Sequence, residues 1–245
     1  GARRALDRLG ADLPIFANVT IETSGTMLLG SEIGAALTSL GALGIEAIGL
    51  NCGTGPTEMS EHLRHLARHT DLPLVCMPNA GLPELTADGA RYPMGPDEFV
   101  SYVAGYTREF QLGLVGGCCG TTPAHISALA DAVASQQPQS RAVSEQSAVS
   151  SLYFDVPLHQ DTAYLSIGER TNANGSKAFR EAMLAENWDE CVNIAKQQSR
   201  DGAHLLDVCV DYVGRDGVAD MSELASRLAT AVPLPVMLDS TDPAV

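Results

Sequence analysis

Ala47-Ile48-Gly49-Leu50-Asn51-Cys52-Gly53-Thr54-Gly55-Pro56 condenses one structural unit: an apolar run of strand length, a glycine-punctuated turn, and a proline placed to open a helix. The residues after it, to His69, carry apolar positions at helical spacing. The same grammar recurs on both sides. A buried strand is expected over 14–21 with a helix over 31–43, and a strand over 74–77 is followed by a long loop and a helix over 96–110. A strand over 112–116 precedes a helix that opens at Pro123, with Thr122 as its N-cap. Alternating strand and helix runs are the signature of a parallel sheet flanked by helices.

From 138 to 150 the chain turns to Gln, Ser, Ala and Pro with almost no aliphatic periodicity, which is linker composition. The expected division is 1–137, a linker over 138–160, and 161–245. In the second part strands are expected over 163–167, 204–208 and 236–238, with helices over 177–185, 188–200 and 219–231. Four strands and three strands each fall short of the eight that close a βα barrel. The lack of an initiator Met and the finish at Pro243-Ala244-Val245 point to a piece of a longer protein, a small open α/β sheet being the alternative.

The chain has 245 residues, with 15 Lys and Arg against 30 Asp and Glu, a formal charge of −15 that repels polyanions, so nucleic acid is not an expected partner. No run has the roughly 18 apolar residues of a membrane helix, and Gly1-Ala2-Arg3-Arg4 does not begin a secretion signal. A soluble, cytoplasmic protein without a membrane partner is expected. Six cysteines are too sparse for a disulfide framework, which turns attention to thiolate chemistry or metal.

Cys52 ends one expected strand, and the adjacent Cys118 and Cys119 end the strand two units later. On a βα barrel the C-terminal strand ends form one rim, where these thiols would converge; Gly116, Gly117 and Gly120 let the backbone bend there. Three thiolates suit Zn²⁺, which in catalytic sites keeps a fourth position for water or substrate. The alternative is that Cys52 is a small buried hydrophobe and Cys118-Cys119 a packing pair, and no Cys-x-x-Cys spacing decides between them. Cys76, Cys191 and Cys209 lie in apolar or helical runs and are expected to be core residues.

Gly49-Leu50-Asn51-Cys52 together with Gly116-Gly117-Cys118-Cys119-Gly120-Thr121-Thr122-Pro123-Ala124-His125-Ile126 resembles the zinc motif of the homocysteine S-methyltransferase family. The resemblance covers about residues 1–135 and implies a (β/α)₈ barrel in which Cys52, Cys118 and Cys119 hold a zinc that binds the homocysteine thiol. Ile167-Gly168-Glu169-Arg170-Thr171-Asn172-Ala173-Asn174-Gly175-Ser176, with Leu206-Asp207-Val208-Cys209-Val210-Asp211 and Leu238-Asp239-Ser240, resembles the pterin-binding domain of the cobalamin-dependent methionine synthase family. That order implies an α/β fold of two (β/α)₈ TIM barrels, each only partly present. It further implies methyl transfer from methyltetrahydrofolate to homocysteine through methylcobalamin, which a domain outside this chain would bind; no Asp-x-His-x-x-Gly motif occurs here.

By the same resemblance Asp239 is the pterin-anchoring carboxylate, with Asn172 and Asp207 on the polar rim. An ionised Asp suits the neighbouring N–H donors of a pterin edge, although Asp and Asn after strands also serve as caps and loop acceptors. The family usually has Asn where Cys209 stands, which puts a polar contact there in question. No general acid or base is singled out. His62, His65 and His69 read as a solvated helix face, and Gly214-Arg215-Asp216-Gly217 as a loop. Two other functions stay open: a homocysteine methyltransferase using betaine or S-methylmethionine, and a zinc-stabilised module without turnover.

Overall fold

In chain order the first half contains α1 (Ala2–Leu9), β1 (Phe16–Val19), α2 (Ile33–Gly41), β2 (Ala47–Asn51), α3 (Pro56–His69), β3 (Leu74–Met77), β4 (Glu84–Thr86), β5 (Gly89–Arg91), α4 (Pro96–Phe110), β6 (Leu114–Val115) and α5 (Pro123–Val133). The second contains β7 (Ala148–Ser150), β8 (Asp155–Pro157), β9 (Ile167–Asn172), α6 (Lys177–Leu184), α7 (Trp188–Arg200), β10 (Leu205–Cys209), α8 (Gly217–Ala231) and β11 (Val236–Leu238). The computed structural model describes residues 1–87, 89–144 and 146–245, which divide into units Gly1–Gln146 and Ser147–Val245. The chain is a mixed α/β protein with parallel sheets, and neither sheet closes on itself among the described residues.

In the first unit β1, β2, β3 and β6 lie side by side in that order, all parallel. Ile48 and Leu50 of β2 are fully buried, in one core with Met59, Leu63 and Leu66, the inward stripe of α3. Each fully buried side chain of this kind contributes about 1.5–3 kcal/mol. α3, α4 and α5 each start on a proline, whose fixed φ and missing N–H suit a helix's first turn. Gly49 sits between Asn18 and Val75 in the register, and a Cβ there would stand 2.0 Å from the Val75 carbonyl oxygen. Only glycine permits β2 and β3 to approach so closely.

The second unit pairs β9, β10 and β11 in sequential parallel order over a core of Phe179, Met183, Leu206, Leu224 and Leu228. Its first strand departs from the sequence expectation: Tyr164 is 94% exposed, and the strand runs from Ile167 to Asn172 instead of over 163–167. Polar residues hold it there. Ile167 pairs with Leu205 and Asn172 with Cys209, and the Gln198 side chain accepts the Arg170 N–H at 2.6 Å. Pairing to a neighbour outweighed local apolar content.

Two antiparallel hairpins appear where loops are expected. β4 and β5 fall in the long loop after β3, with every residue exposed, and β7 and β8 fall in the linker segment. Earlier in that segment Arg141 donates to the carbonyls of Thr70, Leu72 and Gln111, so residues near 141 belong to the first unit. The histidines of α3 are partly buried on a face that still meets solvent: the His65 and His69 rings are 4.6 Å apart, and His69 Nδ1 lies 3.2 Å from the Ser144 carbonyl.

Two glycine substitutions test this packing in opposite directions. Gly49→Ala should lower stability by about 1–3 kcal/mol or more, since the sheet must part to admit the methyl group. Gly105 in α4 has nothing within 4 Å of its would-be Cβ, so Gly105→Ala should raise stability by about 0.5–1 kcal/mol. Urea unfolding followed by circular dichroism checks both, and equal midpoints for the two variants would contradict the account.

Candidate metal centre and a polar strand-end rim

Backbone turns at the ends of β2 and β6 aim three thiols at one another. Cys52 has φ 58°, an uncommon left-handed conformation for a residue with a Cβ, and Gly53 follows at φ 68°. The turn after β2 is tight: a Cβ on Gly53 would lie 2.4 Å from the Ile21 carbonyl oxygen. Cys52 Sγ is 3.6 Å from Cys119 Sγ, Cys118 Sγ is 3.9 Å from Cys119 Sγ, and all three sulfurs lie within 4.8 Å of one another. Thiolates on a tetrahedral zinc, each near 2.3 Å from the metal, stand about 3.8 Å apart, whereas a disulfide needs about 2.05 Å. The donor set and spacing therefore fit a shared zinc ion.

Met77, the last residue of β3, and residues 78–80 after it brace both cysteine loops. The Met77 carbonyl accepts the Cys52 N–H at 3.1 Å and the Pro78 carbonyl accepts the Cys118 N–H at 2.8 Å. Asn79, 2% exposed, accepts the Cys119 N–H on its side-chain oxygen at 3.1 Å and donates its own N–H to the Thr54 carbonyl at 3.1 Å. The Ala80 N–H closes the set by donating to the Cys119 carbonyl at 2.9 Å. Sequence reasoning passed over Asn79; an Asn at the end of the strand lying between the two cysteine strands was the available signal.

The thiols differ electrically. Burial, then hydrogen bonds with Cys52 and Cys119, pushes the Cys118 thiol up to about 11. Cys119 is lowered from the ordinary thiol value by hydrogen bonds from Cys52 and from the Tyr92 hydroxyl. Cys76 and Cys191 are fully buried in the two cores, and burial pushes their thiols up to about 12 and about 11.

In the second unit Asn172, the last residue of β9, Asp207, in the middle of β10 and not at its end, and Asp239, just after β11, come together. Asn172 donates to Asp207 Oδ2 at 2.9 Å and to Asp239 Oδ2 at 3.3 Å. Its amide oxygen accepts the N–H groups of Asn174 and Gly175 at 2.9 and 3.3 Å, which fixes the amide nitrogen toward the carboxylates. Asp207 is 6% exposed, and its Oδ1 is a buried acceptor with no hydrogen-bond partner. Such an orphan oxygen is costly unless a donor arrives from outside the chain. Cys209 is 2% exposed, with its sulfur 3.6 Å from the Asn174 amide nitrogen, so it makes a contact beneath the rim. Asp211 accepts from Ser240 Oγ, Thr241 N and Thr241 Oγ1 at 2.7–2.8 Å, bonds that hold its carboxyl below the usual carboxylate range. In the 214–217 loop Arg215 forks onto Asp220, at 2.7 and 2.5 Å, and Asp216 caps α8.

The sequence profile of the homocysteine S-methyltransferase family matches residues 2–133, over half of the chain, and the chain belongs to that family. The profile of the pterin binding enzymes matches residues 168–245. Methionine synthase of Mycobacterium tuberculosis (strain ATCC 25618 / H37Rv) is 65% identical over 245 residues, covering 100% of this chain and 21% of that protein. Methionine synthase of Mycobacterium leprae (strain TN) is 60% identical over 247 residues, covering 99% of this chain and 20% of that protein. The chain spans about a fifth of the length of these curated relatives.

In metal-free, reduced protein near pH 8, iodoacetamide should label Cys119 about tenfold or more faster than Cys118, because only a thiolate attacks and Cys119 is lowered while Cys118 is raised. Cys76 should stay unlabelled until unfolding. Peptide mass spectrometry reads the order, and faster labelling of Cys118 would contradict it.

Proposed function

We propose that this member of the homocysteine S-methyltransferase family acts in methionine synthesis, with one unit activating homocysteine and the other binding methyltetrahydrofolate. The methyl group would pass between them through a cobalamin held by a domain elsewhere in a longer protein. The observation that carries the reading is the gathering of the Cys52, Cys118 and Cys119 sulfurs within 4.8 Å of one another at strand ends.

Cys52, Cys118 and Cys119 would hold a zinc ion and supply three of its four preferred ligands. When bound, zinc strips the proton from a substrate thiol that at neutral pH is mostly protonated, making it nucleophilic. The chain's part is to hold three sulfurs in place: residues 77–80 fix both loops by backbone bonds, and no cysteine acts as the nucleophile. At the other rim the carboxylates of Asp239 and Asp207 accept donors of the pterin edge, the orphan Asp207 oxygen taking one. Asn172 keeps those two carboxylates in position.

The sheets support reading each unit as part of a (β/α)₈ barrel. Strand order follows chain order in both, as in a barrel, without the reversal of a doubly wound sheet. The edge strands leave apolar side chains open, with Phe16 51%, Leu114 39% and Leu238 58% exposed, surface that further strands would cover. The homocysteine part would close near residue 137 and the pterin part open near 161, with 138–160 connecting them. A cytoplasmic setting accords with these substrates; no helix among the described residues is long and apolar enough to cross a membrane.

Each of Cys52→Ser, Cys118→Ser and Cys119→Ser should lose most of one bound zinc per chain, while Cys76→Ser and Cys191→Ser keep it. X-ray absorption should show a fourth sulfur on the metal only after homocysteine is added. A centre already closed by a fourth protein ligand would point to a structural module instead.

Asp239→Asn in the intact native protein should weaken methyltetrahydrofolate binding about tenfold or more, because the amide turns N–H₂ toward the ligand's donors. Homocysteine-dependent demethylation of free methylcobalamin should be nearly unchanged. Loss of both half-reactions together would refute separate sites, and absence of any folate binding in the unaltered protein would favour another methyl donor.

A further inference from the structure

The loop after β10 is pinned at both ends. At its start Asp211 accepts Ser240 Oγ at 2.8 Å, the Thr241 N–H at 2.7 Å and Thr241 Oγ1 at 2.8 Å, which ties it to the segment that follows Asp239. At its end the Arg215 guanidinium forks onto Asp220, 5% exposed, and donates to Glu186 at 3.2 Å, while Asp216 caps α8. The residues between make a tight turn, with the Arg215 N–H on the Tyr212 carbonyl at 3.2 Å and Gly214 at φ 85°.

What this fixed turn holds out is apolar. Val213 is 96% exposed and Tyr212 44%, and neither belongs to the core of the second unit. Both line an open cavity of about 780 Å³, together with Asn174, Asp211, Arg215 and Thr241. The cavity adjoins the carboxylate rim: the Asn174 N–H is bound by the Asn172 side-chain oxygen at 2.9 Å, and Thr241 stands two residues after Asp239. Arg215 is already spent on Asp220 and Glu186. A ligand part lying here is therefore offered a ring, a branched aliphatic side chain and, among the described residues that line the cavity, no free cation to draw a carboxylate.

We propose that Tyr212 and Val213 are specificity-determining residues for the methyl donor, forming the wall against which the p-aminobenzoyl ring of methyltetrahydrofolate packs once its pterin is on the rim. This rests on reading Asn172, Asp207 and Asp239 as a pterin site. The aryl arm leaves a pterin from the ring remote from its amino-pyrimidinone edge, so carboxylates that take that edge leave the arm to lie beyond the rim, where the cavity is. Aromatic pairs add to the gain from burial, and a turn already fixed by Asp211 and Arg215 has little left to order when the ring arrives.

The test measures binding by titration calorimetry to the intact native protein, prepared without corrin. Two probes are used: methyltetrahydrofolate, and 5,6-dimethyltetrahydropterin, which keeps the pterin and lacks the arm. The unaltered protein should prefer the folate, and Tyr212→Ala should weaken folate binding about tenfold while leaving the armless pterin as it was. Tyr212→Phe, which keeps the ring, should restore folate binding to within about twofold, and Val213→Ser should remove part of the preference.

Equal weakening of both probes in Tyr212→Ala would overturn the proposal, because the turn would then merely support the rim. Unchanged affinity for both would overturn it too, and slower methyl transfer to cobalamin in that variant would then give the apolar pair to a docking domain. If the unaltered protein binds neither probe, the pterin reading itself fails. If it binds both equally well, only the assignment of the arm does.

Discussion

Three sulfurs cannot be brought to within 4.8 Å of one another by side-chain choice alone; backbone from separate strand ends has to be fixed first. Here the fixing is done by four residues, 77–80, which offer two carbonyls, one side-chain oxygen and N–H groups to the loops after β2 and β6. β3 lies between β2 and β6 in the sheet, so the segment leaving it is the one backbone able to reach both. Sheet order thereby becomes site geometry, and the close approach of β2 to β3 at Gly49 belongs to the same constraint.

The second unit solves a parallel problem with oxygen in place of sulfur. Two carboxylates near one another repel, and Asn172 offsets this by donating to both. Its own orientation is set by two backbone N–H groups of the turn after β9, so the rim is organised from the main chain outward. What remains unmatched is the buried Asp207 oxygen. Buried acceptors are nearly always paired in folded proteins, so this unpaired oxygen, on a side chain held by Asn172 at the end of β9, is open to an external donor.

Elements whose apolar residues face a helix layer were readable from sequence, because burial imposes a period. α3 runs from Pro56 to His69 as its pattern implies, since Met59, Leu63 and Leu66 must face inward and proline must start the turn. β9 was misplaced by four residues for the opposite reason: Glu169, Arg170 and Asn172 owe their strand conformation to β10 and to Gln198, which lie 26 or more residues on. The β4–β5 hairpin escaped notice because pairing across a turn leaves no apolar trace when all residues are exposed. At the site, cysteines announce themselves by residue type. Asn79 acts through bonds to the two cysteine loops that only the folded chain displays.

Gathering the thiols before a metal arrives changes what metal binding must overcome. In a small zinc-dependent fold the ion orders the chain, and binding free energy is folding free energy. Here the loops are already held by backbone bonds, and Cys52 is kept in a left-handed conformation that such contacts must offset, of order 1–3 kcal/mol for a residue with a Cβ. The opposing term that remains is the proton. Cys118, pushed up to about 11 by burial beside two other thiols, holds its proton at neutral pH and must release it to ligate. Ordering is therefore supplied by the sheet and the 77–80 brace, while deprotonation would be left to a metal taken up by the three sulfurs, a division that does not require three free thiolates to coexist.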